Sequence, residues 1–398
     1  MSSLFYRYRM NKLYFRFIRF SLGIEEGKEF LDGSALKNFD WQAFYEFAGQ
    51  QTLLGIIMDG VQRLPREVAP KQELLMRWFF VSQKLAKQNV ILDKATTAIY
   101  HKIVSEGYQC CILKGQGNAV LYPNPAARTP GDVDVWVNAS REEIRQLAQR
   151  LADNMGKVEE ESLNHVVVTI KGISVELHST PAIMCNPLHH HRMQKWLRAN
   201  VEEQCSHIVP LASVVSDRVC EAAIPTASFN VVYQLYHLYH HYLYEGIGLR
   251  QFLDYYMQVK SEERRVKKQS LVPEGKANLN DAMQQKTLRQ LGLWNFAGAV
   301  MYVLHEVMGL SEAQMIAPMD EKRGKMLLDE ILQGGNFGHH AENRSGALTW
   351  RHNIYRLQKD WELMWYYPGE CMVEPFYRLW HFFWRMKHRQ YKALIIHH

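Results

Sequence analysis

The chain reads as an α+β protein in which a mixed sheet with flanking helices lies between helical N- and C-terminal regions. Residues 96–215 alternate short β-branched runs with helical stretches, the pattern of a mixed α/β core. Residues 1–95 and 216–398 instead space their apolar residues at helical intervals. No fixed-period repeat or low-complexity tract interrupts either pattern. The expected organisation is a helical region over 1–95, an α/β core over 96–215 and a helical domain over 216–398. With 398 residues, 47% of them hydrophobic and 22% charged, the chain is long enough for two or three domains and has an ordinary globular composition.

Residues 1–22 are aromatic and apolar, but Arg7, Arg9, Lys12, Arg16 and Arg19 interrupt them too often for a signal-peptide core or a membrane span. On a helix Met10, Leu13, Phe17 and Phe20 share one side and the basic residues another. A helix docked on its own domain is expected, and a membrane-surface anchor is the alternative. Asp40 is a capping residue for a helix opening at Trp41, and a long periodic stretch runs from Gln72 past Leu92. No catalytic cluster falls in this region.

The core begins with a strand-like run over 108–113 that ends in Lys114-Gly115-Gln116-Gly117-Asn118, after which residues 119–122 suit a short helix. Glycines at a strand-to-helix turn let backbone N–H groups approach phosphate, and a helix N-terminus favours the negative charge. Next comes Gly131-Asp132-Val133-Asp134-Val135-Trp136-Val137, two carboxylates inside an apolar run that reads as a buried strand. Side chains at i and i+2 share a face. At roughly 4 Å two such anions repel by about 4 kcal/mol at an effective dielectric near 20. A hard divalent cation, Mg2+ or Mn2+, is the natural offset. Residues 165–170, a Lys171-Gly172 turn and residues 173–178 form an expected hairpin whose second strand sets Glu176 and His178 on one face. Three carboxylates on two adjacent strands suit the two-ion clamp of phosphoryl displacement. For His178 the residues leave open a carboxylate partner, a phosphate contact or a satisfied histidine at a domain edge.

His189, His190 and His191 follow Asn186-Pro187, which reads as a loop. Past Pro225 the chain turns helical again. His237, His240 and His241 lie on one such helix among Tyr236, Tyr239, Tyr242 and Tyr244, so that they line a cleft or, with Asp254, serve a metal-dependent phosphohydrolase. Arg250 and Asp254 are spaced as a helix pair. Residues 261–280 are polar and read as a surface connection. In the last quarter Trp350, Arg351, Tyr355, Arg356, Tyr377, Arg378, Trp380, Trp384, Arg385 and Lys387 interleave aromatic and basic side chains. Core aromatics with a solvated basic edge are the favoured reading, and a nucleic-acid stacking surface the lesser one. A net charge of +6 suits a phosphate-rich ligand without the concentrated basic block of a dedicated nucleic-acid binder. Six cysteines without Cys-x-x-Cys spacing imply buried thiols, no structural zinc and a reducing cytoplasmic setting.

The order of these parts resembles the DNA polymerase β-type nucleotidyltransferase superfamily. In detail it is similar to the uncharacterised bacterial nucleotidyltransferase-like family whose members carry LKG, YP, R and GDxDxxV in that order, followed by ELH. The resemblance is strongest over residues 109–178. It extends to Asp40-Trp41 with the helices after it, to Gly246 through Asp254, and to Gln333-Gly334-Gly335-Asn336-Phe337. It implies a polymerase β-like core that moves an NMP from an NTP, ATP above all, to an unidentified acceptor hydroxyl, with pyrophosphate leaving. Asp132, Asp134 and Glu176 are then catalytic and hold the metal, with Glu176 also taking the acceptor proton. Lys114, Gly115, Gln116, Gly117, Arg128, Gly131, His178 and Arg250 would bind the nucleotide. Gly115-Gln116-Gly117 departs from the Gly-Ser or Gly-Gly usual in the wider superfamily, which bears on the triphosphate contacts. A phosphohydrolase built on the histidines and a non-catalytic nucleotide-binding regulator are the competing functions.

Overall fold

A computed structural model describes residues 2–153, 156–215, 218–269, 279–334 and 361–395. Helix α1 (Ser2–Ser21) buries Phe17, Ile18 and Phe20 completely and packs on α4 (Leu54–Val61). The docked-helix expectation holds for its described side chains, and Arg19 reaches across to the Val307 carbonyl at 3.0 Å. Asp40 caps α3 (Trp41–Gln50) by accepting from the Ala43 N–H at 3.0 Å, as the sequence predicts. Helix α5 (Gln72–Ser105) is one 34-residue rod that runs through position 95 without a break and leads into the sheet. No helix among the described residues is long and apolar enough to cross a membrane.

The central sheet has strand order β1-β2-β5-β4-β3, from β1 (Cys110–Leu113), β2 (Val133–Val137), β3 (Gly156–Glu161), β4 (His165–Ile170) and β5 (Ile173–His178). β2 and β5 are parallel neighbours, while the other pairs are antiparallel. Every residue of β1 and β2 is buried, which is why both read as apolar runs rather than alternating ones. Lys171 and Gly172, with φ of 50° and 81°, make the β4–β5 turn, the double positive φ that a two-residue hairpin demands. A capping box of Ser140 and Glu143 starts α7 (Arg141–Ala152), which covers the sheet over β4 and β3. β6 (Ile208–Val215) and β7 (Arg218–Ala223) form a separate hairpin against α5. The helices α9 (Ala227–Tyr244) and α10 (Leu249–Gln269) then pack on each other, and Phe229 of α9 stacks on Trp136 of β2.

Four local expectations change. The short helix after β1 is α6 (Gly115–Ala119), so it starts at the glycines rather than after them. Asp132 immediately precedes β2 instead of lying within it. The histidines at 189–191 sit in the first turn of α8 (Pro187–Ser206), because Asn186 acts as N-cap and Pro187 occupies the first helical position where its missing N–H costs nothing. The polar stretch from 261 continues α10 to Gln269, and residues 270–278 lie outside the described ones. Gly335 through Phe337 and the group Trp350, Arg351, Tyr355 and Arg356 likewise lie outside. On the C-terminal helix Glu374–Ile395 the favoured core reading fails for Trp380, which is exposed, while Tyr377 and Trp384 are partly covered and Trp384 lies under the Arg141 guanidinium at 4.8 Å. All six cysteines are free and buried.

Candidate active site

Register puts the acidic residues together. Asp134 pairs directly with Glu176 across the parallel β2–β5 ladder, and Trp136 with His178. Since alternate residues share a face, Asp132, Asp134, Glu176 and His178 all address one side of the sheet. They line a cavity of about 610 Å3 walled opposite by α9 and α10. Asp134 is 4% exposed, whereas Asp132 is open to the cavity.

Asp134 is the hub. Lys114 Nζ approaches its Oδ1 at 3.1 Å and His178 Nε2 approaches the same oxygen at 3.1 Å. His178 Nε2 also lies 3.3 Å from Glu176 Oε2. Burial alone would raise the Asp134 carboxyl, but Lys114 and then His178 hold it well below the usual range. Glu176 is lowered as well, burial being outweighed by the His178 hydrogen bond. His178 is pushed up, because its two carboxylate partners overcome the burial that would discharge it. Asp132 behaves in the opposite way and is pushed up to about 6 by burial, then by Asp134 and Glu176. The cluster thus carries more negative charge than Lys114 and His178 offset.

Lys114 is presented by a strained turn. Its φ of 45° is a conformation a β-carbon resists, and Gly115 follows at φ 40° with its backbone close to the Asp132 carbonyl. The turn therefore points the lysine at Asp134 and brings Gly115 to the cavity. Gly115 and Gly131 line the cavity with Lys114. Gln116 does not: its side chain is buried and donates to Asp93, and Gly117 packs on Ile224.

Arg128 lines the cavity but its guanidinium is engaged. Nε and Nη2 donate to the two Asp254 oxygens at 2.7 Å each, and Tyr122 donates to Asp254 at 2.8 Å. Arg250 is not the partner of Asp254 by hydrogen bond; it donates to the Thr129 carbonyl at 3.1 Å. Arg250 Nε and His178 Nδ1 are buried and make no hydrogen bond among the described residues.

Sequence reasoning missed His165, which the β4–β5 register sets opposite His178 with ring centroids 5.1 Å apart. His165, Glu176 and His178 each offer a ligand atom within 4.8 Å of the others. The hairpin count from Lys171-Gly172 carries that signal, since it fixes every cross-strand pair. The α9 histidines line the same cavity from the other wall, as the cleft reading expects. His237 and His241 face each other, Nε2 to Nε2, at 3.0 Å.

The sequence profile of a family described as uncharacterised nucleotidyltransferase matches residues 37–308. Among solved structures the chain is similar to an antigenic nucleotidyltransferase-like protein from Paracoccidioides brasiliensis, at 14% identity and a TM-score of 0.34, over 58% of this chain and 95% of that one. No curated protein matches.

Proposed function

The chain belongs to the uncharacterised nucleotidyltransferase family, and on that premise we propose a Mg2+-dependent enzyme that transfers the NMP of an NTP, ATP first, to an acceptor hydroxyl with release of pyrophosphate. The observation that carries this is the Asp134–Glu176 pairing, with Asp132 beside it, on a cavity wall whose negative charge exceeds its positive charge. All three residues offer only carboxylate oxygen, the donor type that hard cations take, so the set fits Mg2+ or Mn2+. When bound, the ion would neutralise this excess and polarise the phosphoryl oxygens.

The chain's own groups supply the rest. Lys114 is shared between Asp134 and whatever anion enters, so its ammonium is available to a β- or γ-phosphate while Asp134 remains ionised. The Gly115 turn offers backbone N–H groups at the same place. Arg250 and His178, each with an unpartnered buried nitrogen, are the side chains we assign to phosphate contact. Arg128 is reassigned to bracing: its guanidinium is satisfied by Asp254 and holds the loop before Asp132 against α10. Gln116 and Gly117 contribute conformation rather than side-chain contacts.

The phosphohydrolase alternative is less well supported. Among the described residues the only grouping of three potential ligands within mutual reach is His165, Glu176 and His178, and the α9 histidines are absent from it. Three carboxylates brought to one face of the sheet count against a regulator without turnover. The test is transfer of label from α-labelled NTPs in the presence of Mg2+ and cell extract. Wild type should label an acceptor, and Asp132→Ala and Asp134→Ala should not. Full transfer by both variants would overturn the reading.

A further inference from the structure

We propose that His237 takes the proton of the acceptor hydroxyl, and that His241 and Glu245 are the positioning residues that carry that proton on to solvent. This rests on the nucleotidyltransferase reading above. Glu176 is the obvious candidate for the base, but its Oε2 is already engaged 3.3 Å from His178 Nε2 and it is assigned to the metal in the reading above. The opposite wall offers a better arrangement.

Three residues one helical turn apart on the C-terminal part of α9 and just past it form a line. Glu245 Oε2 lies 2.9 Å from His241 Nδ1, and His241 Nε2 lies 3.0 Å from His237 Nε2. His241 Nδ1 lies close to the carboxylate without an aligned hydrogen bond; in the proposed relay its proton sits there, so that its Nε2 carries the lone pair and His237 donates from Nε2. His237 Nδ1 is then the acceptor atom, and it makes no hydrogen bond among the described residues while its ring lines the cavity. The groups that face it are Lys114 and His178 from the sheet side and His240 and His241 from its own helix. Burial, then Lys114, keeps it uncharged and able to accept.

The side chains of His241 and Glu245 are 11% and 47% exposed, so the line runs from the covered cavity to water. In the reaction the acceptor O–H breaks and its proton passes to His237 Nδ1. The oxygen forms a bond to the α-phosphorus, and the bond from that phosphorus to the bridging oxygen breaks, the electron pair leaving with pyrophosphate. His237 hands its Nε2 proton to His241 Nε2, and His241 releases its Nδ1 proton past Glu245 to water. That carboxylate suits the role: although burial raises it, His241 holds it at about 2.

The experiment compares wild type, His237→Gln and Glu245→Gln for Mg2+-ATP affinity, single-turnover transfer to the extract acceptor across pH, and histidine tautomers by 15N NMR. We expect His237→Gln to keep affinity within about twofold, slow transfer by roughly 10²–10⁴ and, at Mg2+-ATP kept saturating at every pH, lose the acid limb of the profile. Glu245→Gln, at the exposed end, should fold and slow transfer by about tenfold with a displaced acid limb. Wild-type spectra should show His237 protonated at Nε2 and His241 at Nδ1. Wild-type rates and profile in His237→Gln, the reverse tautomers, or a stoichiometric transition metal lost with His237 would each overturn the relay while leaving the enzyme a nucleotidyltransferase. If His237→Gln does not fold, an unchanged profile in Glu245→Gln overturns it instead. Absence of transfer by wild type would bring down the underlying reading as well.

Discussion

Asp132 and Asp134 differ by two positions and by what surrounds them, and that difference sets opposite stability effects. Folded Asp132 holds its proton up to about pH 6 against an ordinary value of 3.8. The folded chain therefore binds more protons than the unfolded one between about pH 4 and 6, and stability is lost as pH rises through that window. Asp132→Asn removes the loss. Without metal its melting temperature should match wild type below pH 4 and exceed it by about 1–2 °C above pH 6, read by scanning fluorimetry; this is small because the group is open to solvent. Asp134→Asn should instead lower the melting temperature, because Lys114 and His178 lose their shared partner. Glu176 gives a third test. Acting as a metal donor, Glu176→Gln should weaken Mg2+-ATP binding by at least about tenfold in calorimetric titration, a change a pure base would not cause. These carboxylates were legible in the sequence because strand periodicity fixes which side chains share a face. The destination of Lys114 was not, since a positive φ in a lysine has no sequence signature.

At the scale of elements, a buried ion pair joins the motif loop to the helical wall, with the Arg250 hydrogen bond to the Thr129 carbonyl beside it. Arg128 follows the turn at 125–127 and Asp254 lies on α10, and the pair is bidentate, almost fully buried and braced by Tyr122. Asn89 on α5 adds to it by donating to the Ala126 and Arg128 carbonyls at 2.9 and 2.8 Å. Removing one member of such a pair leaves an uncompensated buried charge. Arg128→Ala should cost about 3–5 kcal/mol in urea unfolding, while Arg128→Met with Asp254→Leu should cost clearly less. Equal losses in the single and double variants would show that packing rather than charge holds the loop. The sequence offered Arg250 and Asp254 as a helix pair because i,i+4 spacing is local and visible. The true partner lies 126 residues away, and only tertiary packing brings it in. The same reason explains the loop expected at 189–191: Asn-Pro marks a turn and a helix start equally well, and the choice is made by Glu370, which accepts from the Cys185 and Asn186 N–H groups at 2.9 and 3.1 Å.

For the whole molecule the decisive feature is that one cavity lies between two separately built walls, an acidic sheet face and a histidine-bearing helix pair, with Glu374, Tyr377, Arg378 and His381 of the C-terminal helix also lining it. The sheet wall was readable from the GDxDxxV and ELH runs. The helical wall was readable as helices with histidines, but its apposition to the sheet follows from the β2–β5 pairing and the Arg128–Asp254 brace together. A ligand that bridges the walls stabilises only the folded chain. Mg2+-ATP at about a hundred times its dissociation constant should therefore add about 2.7 kcal/mol, visible as a rise in melting temperature. The carboxylates must be ionised to hold the cation, and Asp132 protonates near pH 6. Above that value the rise should be constant. Below it the apparent affinity should fall by up to about tenfold per pH unit, the proton competing for the same oxygen. Asp132→Ala and Asp134→Ala should show no rise at any pH, whereas His237→Gln, on the far wall, should keep it. A rise that is independent of pH between 5 and 8, or one that survives in Asp132→Ala, would place nucleotide and metal away from the carboxylate wall and remove the basis for assigning chemistry to it.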